Sequence, residues 1–192
     1  MELYEVMRTT FAAREFTDEP VPDAVLFKIL DHARFAPSGG NRQGWKVIVV
    51  RDNATREALA RLTEPAAKRY IAQQKNGENP WNTIDPPRVD AATIERTEPL
   101  MRLIEPVLKA PVVLVICVDL KVVASTDQHL DRVGVISGAS IYPFAWNILL
   151  AARARGFAGT ITTLAVAQEP KLKRKPVSEF AMRERWGGPP LA

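Results

Sequence analysis

Ala33-Arg-Phe-Ala-Pro-Ser-Gly-Gly-Asn-Arg-Gln-Gly-Trp45, running directly into Lys46-Val-Ile-Val-Val50, decides how this chain is read. A helix ends ahead of Pro37, because proline lacks the N–H that a helix interior needs. An apolar run rich in β-branched residues then reads as a buried strand. Between them, Ser38, Gly39, Gly40, Asn41 and Gln43 crowd hydrogen-bonding groups into one turn. Glycines there let backbone N–H groups approach a ligand closely. Such a turn suits a flat ligand with polar edges better than a packed core.

Upstream of that turn, Val25, Leu26, Ile29, Leu30 and Ala33 fall on one stripe. This predicts an amphipathic helix over 23–35, with Pro22 suited to its first turn. Leu3, Val6 and Met7 have helical spacing over 2–9. Downstream, Lys46–Val50 is the first strand, and 54–73 reads as helical with Pro65 a candidate break. Residues 74–99 hold Asn76-Gly77, Asn79-Pro80, Pro86-Pro87 and Pro99, so they read as a long insertion of the kind that forms a functional flap. Trp81 either covers a ligand there or packs onto its own scaffold.

Residues 100–109 look helical, and Pro111–Asp119 is a second buried strand. A long, largely apolar helix is predicted over 130–155, kinked at Pro143 and capped by Gly156. Apolar groups around much of its circumference call for burial on several sides, a subunit interface among them. Gly159-Thr-Ile-Thr-Thr-Leu164 reads as a third strand. With no internal repeat, one domain spanning 1–192 with a variable flap at about 74–99 is expected.

Composition bounds the function. The 192 residues carry a formal net charge of +4, with 46% hydrophobic and 25% charged residues. That describes an ordinary globular domain with a real core. The basic charge is scattered except near 171–175, so no nucleic-acid partner is expected. No apolar stretch approaches the ~20 residues of a membrane span, and no signal core opens the chain, so a cytoplasmic protein without a membrane partner is the expectation. The single cysteine, Cys117, lies in an apolar run and reads as a buried structural thiol. His32 and His129 read as surface or helix-end residues, and no ligand spacing supports a metal site.

The familiar nucleophile, zinc-protease and phosphate-loop motifs do not occur. An enzyme without obvious acid–base residues can still be an oxidoreductase, because a cofactor then carries the chemistry. A flavin needs cations for its phosphate, hydrogen-bonding groups for its ring edge and an open face. Arg8 and Arg14 flank the first turn, and Arg174 and Lys175 lie in the basic run. Ser38, Asn41 and Gln43 line the polar loop, and Thr160, Thr162 and Thr163 follow the apolar helix. Each also has an ordinary reading as solvated charge, loop polarity or strand preference.

The order of these parts resembles the nitroreductase family of FMN-dependent oxidoreductases. The resemblance is carried by Arg14-Glu-Phe-Thr-Asp-Glu-Pro-Val-Pro22, by Ala33–Trp45, by Gly138–Gly156 and by Lys175-Pro-Val-Ser-Glu-Phe180. It covers nearly the whole chain outside 74–99. It implies an α+β fold with a central, mainly antiparallel sheet flanked by helices. It also implies a homodimer with a long central interface helix and FMN sites at the interface. The implied activity takes hydride from NAD(P)H and reduces a nitroaromatic, quinone or related electron-poor acceptor in a ping-pong cycle. Arg8, Arg14, Arg174 and Lys175 are the implied phosphate and ribityl contacts. Pro37, Ser38, Gly39, Asn41 and Gln43 are the implied ring contacts. Thr162 and Thr163 approach the ring edge, with Thr162 placed to tune flavin N5, and no protein side chain is implied as the catalyst. The alternatives are a flavin-sequestering protein with little turnover and a related flavin-dependent dehalogenase or enone reductase.

Two departures accompany the resemblance. Family members usually carry an arginine and often a serine where this chain has Thr10-Phe11-Ala12. After Gln168-Glu-Pro170 the family usually continues through a helix, a core strand and a Gly-Pro turn, whereas Lys171–Lys175 follows here at once. The preferred reading is a segment missing from this sequence, because deleting a core strand exposes both of its neighbours.

Overall fold

A computed structural model describes residues 1–174. Its frame is an antiparallel ribbon, β1 (Trp45–Val50) and β2 (Val113–Val118), in register from Trp45 opposite Val118 to Val50 opposite Val113. Helices cover both faces. This mixed arrangement of helices around an antiparallel ribbon is the α+β class expected from the sequence.

α1 (Leu3–Thr9) and α2 (Asp23–Ala33) precede β1. The predicted stripe of α2 is its buried face, with Leu26, Ile29, Leu30 and Ala33 all inside. These residues pack with Trp45 and Val47 of β1 and with Phe144 and Ile148 of a later helix, α6. Trp45 and Phe144 stack at 4.8 Å between centroids and 9° between planes, tying helix to sheet.

α3 (Asn53–Lys75) covers the other side, where Leu59, Ala60 and Ala67 join Val50, Ile104 and Val107. Asp52 caps α3 by accepting from the Thr55 N–H at 2.7 Å. Pro65 does not break it. The ring is exposed, while Ala66 and Ala67 beside it are buried and hold the axis through the missing hydrogen bond. α4 (Ala91–Arg96) follows. Residues 100–109 form a 3₁₀ turn, Met101–Leu103, and then the short α5 (Glu105–Lys109), rather than one helix.

The segment 76–90 is stapled to the end of α3. Glu78 accepts from Gln73 Nε2, Asn76 Nδ2 and the N–H groups of Arg88 and Val89. The buried Gln73 also accepts from the Trp81 N–H, and the Arg69 guanidinium lies 4.0 Å from the Trp81 ring centroid. Of the two readings of Trp81, the structure shows packing onto its own scaffold. The hydrogen bonds, from Asn76 foremost and then Gln73, hold the Glu78 carboxyl down to about 2 from its ordinary 4.5. A depressed carboxyl contributes stability above its unfolded pKa and loses it as pH falls through the folded one. The melting temperature is therefore expected to fall between about pH 4.5 and 2. Thermal melts across that window should show a flatter decline for Glu78→Gln than for the parent. An identical profile in the two proteins would refute the staple.

Two further predicted elements differ in the structure. The helix expected over 130–155 is confined to α6 (Tyr142–Ala154), preceded by a 3₁₀ turn, Ile136–Ser140. Asp127, 4% exposed, accepts from the N–H groups of Val135 and Ile136 and so withdraws them from any helical ladder. Pro143 lies in the first turn of α6, where its missing N–H is harmless, so it starts the helix and does not kink it. Gly156, at φ +83°, ends α6 as expected: it donates to the Arg153 carbonyl, and Phe157 to that of Ala152.

The third strand expected at Gly159–Leu164 is reduced to one parallel bridge, Gly159 with Ala12. Neither ribbon edge takes it up, and Leu164 already opens another 3₁₀ turn, Leu164–Gln168. α7 (Glu169–Arg174) completes the described chain. Among the described residues, no helix is long and apolar enough to cross a membrane.

Candidate functional site

The Pro37–Gln43 loop is a strained polar turn. Gly40, Asn41 and Gln43 all have left-handed backbones, at φ 59°, 51° and 49°. Glycine adopts this at no cost and asparagine at little, but a glutamine there costs of order 1–3 kcal/mol and is held by its surroundings. Ser38 Oγ accepts from the Gln43 N–H at 3.0 Å, and its carbonyl from the Asn41 N–H at 2.8 Å. Gln43 Nε2 donates to Asn41 Oδ1 at 3.0 Å. Across the fold, Gly39 donates its N–H to Ser140 Oγ at 3.0 Å.

Pro37, Gly39, Gly40 and Asn41 are exposed, whereas Ser38 and Gln43 are half-buried. The loop therefore offers a polar rim on a rigid base. Exposed apolar side chains on the elements that carry it, Phe35 on one side and Ile136, Tyr142 and Trp146 on the other, supply flat surface.

A second group forms around the Gly159 bridge. Ala13 donates to the Gly159 carbonyl at 3.1 Å, and Arg14 Nη1 to the Ala12 carbonyl at 3.1 Å. Arg14 thereby stands two residues past the Ala12–Gly159 bridge, which leads into the segment of Thr160, Thr162 and Thr163. Thr162 Oγ1 accepts from the Leu164 N–H at 3.4 Å, which leaves its hydroxyl hydrogen able to donate outward. Arg8 is exposed in the last turn of α1, an element anchored to α6 by the Arg153 Nε bond to Thr9 Oγ1 at 3.0 Å. Phe11 is exposed and uncharged at the departure noted in the sequence.

α6 separates the two groups within one chain. The loop is fastened just ahead of its N-terminus through Ser140. Gly159 sits against Leu149, nine residues on and about 13 Å along a helix. No hydrogen bond or ion pair among the described residues joins the two groups. Arg174 falls at the end of α7, and Lys175 lies outside the described residues.

Chemically, the two groups fit FMN. Arg14, half-buried, stands at one with the exposed Arg8 on α1, cations suited to a phosphate, and a rim of amide and hydroxyl groups stands at the other, suited to the edge of a polar ring. His32 and His129 are exposed, and no cluster of metal-ligating groups occurs among the described residues. Burial pushes the Cys117 thiol up, away from the reactive thiolate.

Two residues of this region escaped the sequence. Ser140 was legible only as a polar interruption of an apolar run. Asp127 carried no local signal, yet it accepts from Ser125, Arg132, Val135 and Ile136, and Val135 and Arg132 foremost hold its carboxyl far below the usual range.

The model of the nitroreductase family matches residues 7–179. A Thermus thermophilus protein named NADH dehydrogenase is 48% identical over 46 residues, covering 24% of this chain and 22% of that relative. The matches to such curated relatives span at most about a third of their length. Among solved structures, a BluB-like flavoprotein from Clostridium difficile 630 has a TM-score of 0.61 at 19% identity, covering 92% of this chain and 82% of that one. A nitroreductase with bound FMN from Desulfitobacterium hafniense DCB-2 has a TM-score of 0.56 at 23% identity, covering 95% and 81%. These likenesses establish the fold.

Proposed function

We propose, since this chain belongs to the nitroreductase family, that it is an FMN-dependent oxidoreductase using NAD(P)H to reduce nitroaromatics, quinones or related electron-poor small molecules in a ping-pong cycle. The observation that carries this reading is the strained loop at 37–43, rigid at its base and open at its rim. Strain of that kind gathers at ligand clamps. Relatives and solved structures named as nitroreductases, one with bound FMN and another named as FMN- and NADPH-dependent, support the same reading.

When bound, FMN supplies reversible redox chemistry between the nicotinamide and the acceptor. The chain's own residues bind and orient. Arg8 and Arg14 neutralise the phosphate, with Arg174 and Lys175 as further cations. Pro37, Ser38, Gly39, Asn41 and Gln43 hold the ring, and Thr162 and Thr163 meet its edge, Thr162 near N5. Because α6 holds the two groups apart, a homodimer is the arrangement that lets one chain's loop meet its partner's cations. Leu130, Val133, Val135, Tyr142 and Trp146, all exposed in the single chain, supply an apolar face for it. In this reading the chain is one cytoplasmic domain, with 74–99 as its variable insertion.

The test is the purified protein's visible spectrum and the identity of any cofactor released on denaturation. A yellow protein that releases FMN, is bleached by NADH or NADPH and regains colour with a nitroaromatic or quinone fits the proposal. A colourless protein that takes up no added FMN rejects it. Rapid bleaching without recovery by any acceptor favours a flavin-sequestering role instead.

A further inference from the structure

We infer that Ser140 is the positioning residue for the cofactor loop. This rests on the reading of 37–43 as the FMN-ring contact. Ser140 is 8% exposed and lies 101 residues from its partner, yet its Oγ accepts the Gly39 N–H at 3.0 Å. Gly39 stands between Ser38, whose Oγ holds Gln43, and the left-handed Gly40 and Asn41. Fixing the Gly39 amide therefore fixes the point from which the strained turn departs. The fit is close: a Cβ on Gly39 meets Ser140 Oγ at 3.3 Å and Ala124 Cβ at 3.5 Å.

Ser140 is itself held from behind. Asp127 accepts from the Val135 and Ile136 N–H groups, which fixes the start of the 3₁₀ turn that ends at Ser140. A chain of hydrogen bonds thus runs from a buried carboxylate through this turn to the loop. Because Ser140 lies two residues before α6, the same bond couples the loop to the helix that exposes Tyr142 and Trp146. The loop's geometry is set by a residue outside it.

The experiment is a double-mutant cycle read by FMN titration of the apoprotein, using fluorescence quenching. Ser140→Ala is expected to raise the FMN dissociation constant about tenfold, equivalent to about 1.4 kcal/mol. It should also speed amide hydrogen exchange at Gly39 in the apoprotein. Gly39→Ala crowds Ser140 Oγ in the parent, but not once that atom is gone. Its loss of affinity should therefore be smaller in the Ser140→Ala background, a coupling that a general stability role for Ser140 does not produce. Additive effects, or a Ser140→Ala protein that binds FMN as tightly as the parent, would overturn the assignment. A parent that binds no FMN defeats the functional reading itself, so the two failures are distinct.

Discussion

Phe144→Ala is expected to destabilise the fold by roughly 3–5 kcal/mol, the range for truncating a buried aromatic. Phe144 is 3% exposed and stacks on Trp45, the first residue of β1. It packs in the same cluster as Leu26, Ile29 and Leu30 of α2. One side chain therefore connects three elements, and the cavity left behind opens at their junction. For a chain of this length each kcal/mol shifts the melting temperature by about 2–4 °C, so a drop of roughly 6–20 °C should appear in a thermal scan. Trp146→Ala, two residues away, is the control. Trp146 is half-exposed in the single chain, so its loss should leave intrachain packing nearly unchanged. In the proposed dimer it should weaken association, read by sedimentation or light scattering. Equal melting losses for the two variants would contradict the packing described here.

The second large effect concerns affinity. The double variant Arg8→Ala, Arg14→Ala should raise the FMN dissociation constant by at least about 100-fold. A hydrogen bond to a charged group contributes about 1.5–3 kcal/mol, and each 1.4 kcal/mol is a factor of ten. The chain has no cation at Phe11, so in the proposed reading the phosphate would rely on these two arginines and on the basic run at 171–175. Arg8 is exposed and Arg14 half-buried, so their removal should change FMN binding far more than folding. Rising salt should weaken binding to the parent and matter less for the double variant, since screening acts only on charges still present. Unchanged affinity in the double variant would move the phosphate elsewhere.

The legible parts of the fold were those written in local pattern. The stripe of α2 is its buried face because side chains three and four apart share one side of a helix. β1 and β2 lie where β-branched apolar runs are bounded by turns and prolines. The loop at 37–43 was visible because glycine, asparagine and serine announce unusual backbone geometry in the sequence itself. Of the candidate site, the polar loop and the arginines were readable as residue types. Their arrangement at two places along α6 was not, because it depends on how the chain returns after Gly156.

The misread elements share one cause. Residues 130–141 are apolar enough for a helix, yet Asp127 takes the N–H groups that a helix would need. The run at 159–164 has the composition of a strand, but a strand exists only where a neighbour presents a free edge, and here Ala12 supplies a single bridge. Sequence alone determined the family, the ribbon's two strands, the amphipathic α2 and the presence of a polar turn, because each is encoded in residues close together in the chain. Only the tertiary structure decided the length of α6, the fate of the third strand and the hold of Ser140 on Gly39. Each depends on a hydrogen-bond partner outside the local periodicity, Asp127 for the start of α6 and residues more than a hundred positions away for Gly159 and Ser140, and no local pattern records which group will arrive.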